Sequence, residues 1–360
     1  MSKKQLFLYL LATVWFCYSC RDDPSFDRSL FLKNYADSLI LPAVSEVAET
    51  AATLHRSVIS LRENPNPKTL SQAQYDWDKT YQAWIRVSGL NFGPGGSKGR
   101  KRTIVEEVGA WPVDQEGIEQ KISTSNFQLS DAKRNTRGLP AVEYLLYHDQ
   151  PTGILTSSAS EDRLNYLVKI VEHLAVTLDK FHDDWKSNYK MQFVESDGTD
   201  VKSSVTLLFN EMVRDFETMR DLKLGIPAGL IAGQSGPQPE LSEARFSKKS
   251  LTYLVSNYNH FVSFWYGTTE DGQNGLGWEE YLLSVEGGPH LVKKIREKFN
   301  EIDLIIKRIP SDKTMEELAL ANHPALAAFY AELKKLTPYV KGESSSLLSL
   351  AITFSSGDGD

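Results

Sequence analysis

Glu143 is the side chain whose position most directly suggests chemistry. It lies in the segment Arg137–Leu146, RGLPAVEYLL, after Gly138 and Pro140 and before an apolar run. Residues three apart share one face of a helix, so residue 140 would stand beside Glu143. A protein metal site needs several ligands, and proline has no side-chain donor atom. Proline instead suits the first turn of a helix, where its missing N–H costs nothing.

The carboxylate of Glu143 lies on or beside an apolar face, where an unpaired buried charge is costly. We therefore expect a partner, and Arg137 and the residues around Asp114 are the candidates. Three roles are open for Glu143: an ion pair that locks the loop to the helix, a contact in a ligand-binding cleft, or a catalytic carboxylate. If the chain binds a divalent metal ion, Glu143 is the ligand that this segment offers.

Other segments carry no strong catalytic motif. The seven histidines are scattered, and none forms His-Glu-x-x-His. His182 lies near Asp179 and Asp183, a spacing that is typical of a solvated helix face. Ser235 lies in Gly-Gln-Ser-Gly, which differs from the Gly-x-Ser-x-Gly nucleophile motif. We therefore assign no catalytic residue from the sequence.

The N-terminus predicts an exported lipoprotein. Lys3 and Lys4 precede a short apolar run over residues 6–16, which is too short to span a bilayer. The run ends at Ser19-Cys20, a pattern that predicts cleavage before Cys20 and lipid attachment to it. The alternative is an ordinary secretory signal with an incidental cysteine. The prediction places the protein in the envelope of a Gram-negative bacterium, anchored to the outer membrane on its periplasmic face or at the cell surface.

The charge balance excludes one class of partner. The chain has 40 basic and 47 acidic residues, and cleavage before Cys20 would remove two lysines. A balance this acidic argues against nucleic-acid binding, which needs a basic face. Cleavage would also leave Cys20 as the remaining cysteine, so the hydrophobic core and not disulfides must hold the fold.

Hydrophobic periodicity predicts an all-α fold of two packed helical bundles. Apolar positions recur close to every 3.6 residues over most of the chain, whereas alternating strand patterns are hard to find. The predicted helices cover 28–62, 71–87, 160–193, 201–222, 245–266, 289–309, 323–340 and 343–354. We divide the chain into a signal peptide (1–20), a linker (21–27), an N-terminal bundle (28–195), a C-terminal bundle (196–354) and a tail (355–360).

Several short motifs, in a fixed order, resemble one known family. They are Asn34-Tyr35-Ala36-Asp37, Phe92-Gly93-Pro94, Ala110-Trp111-Pro112-Val113-Asp114, RGLPAVEYLL, Lys223-Leu224-Gly225-Ile226-Pro227 and Gly275-Leu276-Gly277-Trp278. Together they are similar to the imelysin family from about residue 27 to the C-terminus. The family signature is Gly-x-His-x-x-Glu, and here Gly138 and Glu143 match it while Pro140 takes the histidine position. The chain therefore resembles the imelysin-like branch that lacks this histidine.

The resemblance implies a bilobed helical protein with a ligand-binding cleft near the signature helix. Its cleft residues would be Arg137, Gly138, Pro140 and Glu143, with Trp111 and Asp114 from the preceding loop. The implied function is non-catalytic binding in iron or haem uptake, with an iron-uptake receptor or other envelope proteins as partners. The alternatives are a metallopeptidase of the imelysin (M75) type and a structural or adhesion lipoprotein.

Overall fold

The structure, a computed structural model, describes residues 26–97, 102–130, 133–148, 153–156, 160–269 and 271–354. Regular structure within these ranges is helical, apart from one isolated bridge between Thr268 and Asn274. The predicted all-α fold is therefore confirmed. No helix in these ranges is long and apolar enough to cross a membrane. The predicted signal peptide with Cys20, most of the linker and the tail lie outside the described residues.

Three long helices form the framework of the first half. A π-helical turn, Tyr35–Ile40, connects the helix Arg28–Asn34 to the helix Leu41–Glu63 without a break. A second π-helical turn, Asp184–Tyr189, connects Ser160–Asp183 to Lys190–Glu195 in the same way. The helices are α1 (Arg28–Asn34), α2 (Leu41–Glu63), α3 (Pro67–Ile85), α4 (Ile104–Val108), α5 (Gln115–Ser123), α6 (Leu139–Tyr147), α7 (Gly153–Thr156), α8 (Ser160–Asp183) and α9 (Lys190–Glu195). Helix α2 packs against α3 and α8, and α6 packs against α3 and α8.

The second half is also built of packed helices. Its helices are α10 (Ser204–Glu217), α11 (Ile226–Ala228), α12 (Ser250–Trp265), α13 (Trp278–Leu283), α14 (Gly288–Ile306), α15 (Met315–Leu320), α16 (Pro324–Thr337) and α17 (Ser344–Leu347). The π-helical segment Thr218–Gly225 extends α10 and contacts α12 and α16, while α14 packs along α16. The fold is therefore two packed helical bundles.

Helix α1 ties the two bundles together. It is continuous with the first bundle, yet the ring of Phe31 packs edge-on against Trp278 at 4.9 Å between centroids. The side-chain amide of Asn34 donates to the carbonyl of Leu276 at 3.0 Å, and Phe26 stacks on Tyr281 at 4.5 Å. Helix α3 also contacts α12 across the interface. The division at residues 195 and 196 remains a prediction.

Two of the predicted helices extend at least five residues beyond the helices in the structure. The helix predicted over 343–354 ends at Leu347, because Ser349 takes a left-handed backbone (φ 54°) and Asn210 then binds the extended chain through Thr353 N at 2.8 Å. The helix predicted over 245–266 begins only at Ser250. Positive φ values at Ala244 (53°) and Lys248 (60°) are incompatible with a helix there.

Candidate functional site

The signature segment starts helix α6 with a glycine that no other residue can replace easily. Gly138 has φ 81° and ψ −175°, a region that is open essentially to glycine alone. A Cβ built there would lie 2.5 Å from the carbonyl oxygen of Val108. Pro140 follows in the first turn of α6, as expected, and is buried. The loop and helix are therefore fixed closely enough to hold Glu143 in one place.

Glu143 is bound by a residue from the other bundle. Its side chain is 2 % exposed, and Oε1 accepts hydrogen bonds from the backbone N–H and the Oγ–H of Ser247, both at 2.7 Å. Burial raises the pKa of Glu143 to about 7, although the Ser247 bonds act in the opposite direction. The second oxygen, Oε2, has no hydrogen bond within the described part of the chain. Glu143 therefore combines a fixed position with one oxygen available to a ligand.

Arg137 and Asp114 are not the partners of Glu143, which corrects the sequence expectation. Arg137 donates to the carbonyl of Leu129 at 2.8 Å and lies 2.9 Å from the carboxylate of Glu107. Asp114 caps helix α5 by accepting from Gly117 N at 2.9 Å. Its hydrogen bond from Lys133, with that from Gly117, lowers the pKa of Asp114. Both side chains hold the loops that precede α6.

Trp111, Pro140 and Glu143 line one cavity, to which both bundles contribute. The cavity has a volume of about 280 Å³, and residues 242–249, here named the latch loop, form part of its wall. From the latch loop it receives Arg245, whose guanidinium lies 4.2 Å from the ring centroid of Phe246. We call it the Glu143 cavity; its lining also includes Pro112, Val113, Gln115, Glu240, Leu241, Ser242 and Ala244.

Ser242 brings a buried hydroxyl to this cavity. Its side chain is 5 % exposed, and its hydroxyl has no hydrogen-bond partner among the described residues. A buried hydroxyl without a partner carries a desolvation cost that a bound ligand could relieve. The cavity thus offers the Glu143 carboxylate oxygen, the Ser242 hydroxyl and the Arg245 guanidinium, together with the side chains of Gln115 and Glu240, among apolar residues.

A buried ion pair next to the Glu143 cavity has no counterpart in the sequence predictions. Lys223 Nζ lies 3.0 Å from Glu243 Oε2 and donates to Asn257 Oδ1 at 3.1 Å, and both charged side chains are less than 10 % exposed. The ammonium also lies 5.5 Å from the ring centroid of Trp111. Lys223 belongs to one of the family motifs, so the motif pointed to the position although not to the pair. The pair fixes the start of the latch loop to the second bundle.

A smaller cavity of about 90 Å³ lies beside this pair and shares Trp111 with the Glu143 cavity. We call it the Lys223 cavity. Burial raises the pKa of Glu211 to about 7 and raises the pKa of Asp215, both of which line it. The interface between the bundles therefore contains several carboxyl groups that bind protons more tightly than they would in water.

The described residues do not fit a resident metal ion. Among them, no three His, Cys, Asp or Glu side chains are grouped so that they could hold one. Pro140 stands where a ligand would share the helix face of Glu143, and Glu143 Oε1 is already occupied by Ser247. A catalytic zinc usually has three protein ligands, and this site supplies one carboxylate. No reaction step through a metal follows from this site.

The comparisons with known proteins agree with the fold and the motif order. The sequence model described as imelysin, of the M75 peptidases, matches residues 40–339. This protein therefore belongs to the imelysin family. No curated protein matches the chain.

Two solved structures share the fold. One is described as an iron-regulated protein A precursor from Parabacteroides distasonis, with 17% identity, a TM-score of 0.74, and coverage of 89% of this chain and 95% of that one. The other is an imelysin-like protein from Psychrobacter arcticum, with 16% identity, a TM-score of 0.70, and coverage of 91% and 97%. Sequence identities this low establish the shared fold, but they do not assign roles to individual residues.

Proposed function

We propose that this protein is a non-catalytic binding protein of the bacterial cell envelope that works in iron or haem uptake. The observation that carries the proposal is the Glu143 cavity between the two bundles, with an available carboxylate oxygen at its wall. Ligand sites commonly lie at such interfaces and combine apolar walls with a few fixed polar groups.

The chemistry of the cavity favours binding over hydrolysis. Ser247 holds one oxygen of Glu143, which leaves Oε2 to accept a donor from a ligand. Ser242 can donate or accept, and Arg245 can balance a negative group. A cavity of about 280 Å³ suits a small polar molecule or the polar end of a larger iron-carrying one.

The link to iron rests on the family and on one solved relative. The Parabacteroides distasonis structure is described as an iron-regulated protein precursor, and it shares this fold over most of its length. That description supports an iron-related role for the present chain and its export to the envelope. We extend the proposal to lipid anchoring at Cys20, for which Cys20→Ser should move the protein from the membrane to the soluble fraction. Unchanged membrane association would refute the anchor.

Titration calorimetry with ferric citrate and with haemin, separately, tests the binding proposal. We expect the full chain to bind at least one probe, and Glu143→Gln to weaken that binding by roughly tenfold, as loss of a charged hydrogen-bond acceptor does. Glu63→Gln is the matched control, because Glu63 is exposed at the end of α2. Binding by neither probe, or equal binding by Glu143→Gln and the parent, would refute the proposal.

A further inference from the structure

A separate groove lies on the interface between the bundles and shares no lining residue with the Glu143 cavity. It has a volume of about 380 Å³, within the range of roughly 300–1,000 Å³ that small-molecule sites occupy. Its lining comes from the π-helical turn after α1 and the start of α2, from the end of α3, and from α12 with the residues that follow it. We call it the His260 groove.

Four of the polar side chains that line this groove are available for binding, whereas Gln82, Ser256, Thr268 and Thr269 already bond to neighbouring groups. Ser38, Asn259, His260 and Ser263 make no hydrogen bond with their side chains within the described part of the chain, and all four line the groove. Hydroxyl and amide groups can both donate and accept, so they suit a partner that does the same. Ser38 belongs to the π-helical turn Tyr35–Ile40, and such insertions in helices occur frequently at functional sites.

The groove presents no uncompensated charge. Among its lining residues, Glu46 carries a negative charge and Arg86 a positive one, and these two side chains form an ion pair. Burial, with the nearby Arg86, lowers the pKa of His260 to about 4, so its imidazole is neutral at physiological pH. An ionic ligand would therefore find no free counter-charge here.

The groove also has apolar lining. Leu39, Pro42, Ile85 and Phe264 line it together with the polar side chains. Rings of hydroxylated sugars have the complementary form, with hydroxyl groups around the edge and C–H groups on the faces. We propose that the His260 groove binds a neutral saccharide. This inference does not depend on the proposed role of the Glu143 cavity.

Saturation-transfer NMR on the full chain tests it, with glucose, galactose, N-acetylglucosamine, maltose and lactose as neutral probes. Glucuronate and glucosamine serve as charged probes. We expect transfer to at least one neutral sugar and weaker transfer to its charged counterpart. No transfer to any neutral sugar at millimolar concentration, or equal transfer to the charged sugars, would overturn the proposal.

Substitutions locate the binding. Ser263→Trp should fill the groove and abolish transfer, whereas Ser71→Trp should leave it unchanged, because Ser71 is exposed on α3 about three turns from the groove. Asn259→Ala, at an exposed position with no bond to lose, should weaken sugar affinity by about tenfold. Glu143→Gln should leave transfer unchanged, which separates this site from the Glu143 cavity. Transfer that persists in a folded Ser263→Trp variant would refute the location.

Discussion

At the scale of single residues, the protonation state of Glu143 sets which hydrogen bonds the Glu143 cavity can make with a ligand. Burial raises the pKa of this carboxyl to about 7, so near neutral pH it is partly protonated. The protonated form can donate a hydrogen bond through the second oxygen, and the ionised form can accept two. Small changes in pH or in the charge of a ligand therefore change the chemistry that the cavity offers.

The raised pKa also predicts how stability depends on pH. Between about pH 4.5 and 7 the folded state holds a proton on Glu143 that the unfolded state has lost, so stability falls as pH rises through this window. Glu143→Gln removes that dependence and keeps an oxygen to accept from Ser247. As the pH rises from 5 to 8, we expect the free energy of unfolding of the variant to increase relative to that of the parent by on the order of 1–3 kcal/mol. Urea unfolding of both proteins measures this difference.

Other titrating groups do not disturb this comparison. His260, with a pKa lowered to about 4, makes stability rise with pH between about 4 and 6.5, and Glu211 acts in the same direction as Glu143. Both are present in parent and variant, so the difference between the two curves isolates Glu143. Parallel curves for parent and Glu143→Gln would mean that the pKa of Glu143 is not raised.

Pro140 occupies the position from which a second metal ligand could share the helix face of Glu143. Pro140→His should place an imidazole on the helix face of Glu143, which gives two ligands in one cavity. We expect Zn²⁺ affinity to rise by roughly tenfold, the scale on which single changes at metal sites act. Calorimetry at neutral pH measures it, with Pro140→Ala as the control that removes proline without adding a ligand. Equal affinity in the histidine and alanine variants would show that the cavity supplies no further ligand.

At the scale of elements, the start of α6 sets the position of the whole site. Gly138→Ala should destabilise the protein by about 2 kcal/mol or more, because alanine disfavours φ 81° and its Cβ would meet the carbonyl of Val108. Gly236→Ala is the matched control, since a Cβ there meets nothing within 4 Å. Thermal unfolding of the two variants provides the comparison. Equal melting temperatures would show that the loop relaxes and does not fix α6.

The long helices could be predicted from the sequence because their apolar periods are regular. The continuous helical runs 28–63 and 160–195, and helix α14, are close to the predicted ranges 28–62, 160–193 and 289–309. The short helices α4, α5 and α15 were missed, because five to nine residues carry too little periodicity and depend on capping boxes or single caps for their ends. The extent of the last helix was wrong because Asn210, far away in sequence, binds the extended chain.

The site, too, could be predicted from the sequence only where it depends on neighbouring residues. Gly138, Pro140 and Glu143 are close in sequence, and their relative positions follow from the geometry of a helix and its first turn. Ser247 lies 104 positions from Glu143 in the chain, and no local pattern links the two. Arg137 is close to Glu143 in sequence, but in the fold its guanidinium pairs with the carboxylate of Glu107. Partners that depend on the packing of two bundles need the tertiary structure.

At the scale of the whole molecule, the site exists only where the bundles meet. Glu143 comes from the first bundle, while Ser247 and the Lys223–Glu243 pair come from the second. Helix α1 and the contact of α3 with α12 hold the bundles against each other. The cavity is therefore a property of the assembled pair, and its ligand would contact both.

Our central proposal is that this member of the imelysin family binds a ligand and does not hydrolyse peptides. The most direct test incubates the full chain with casein and with insulin B chain at neutral pH, with and without added Zn²⁺, and follows new amino termini. We predict no cleavage above buffer under either condition, because Glu143 is bound to Ser247 and has no ligand beside it at Pro140. Cleavage that a chelator abolishes and that Glu143→Gln removes would contradict the account.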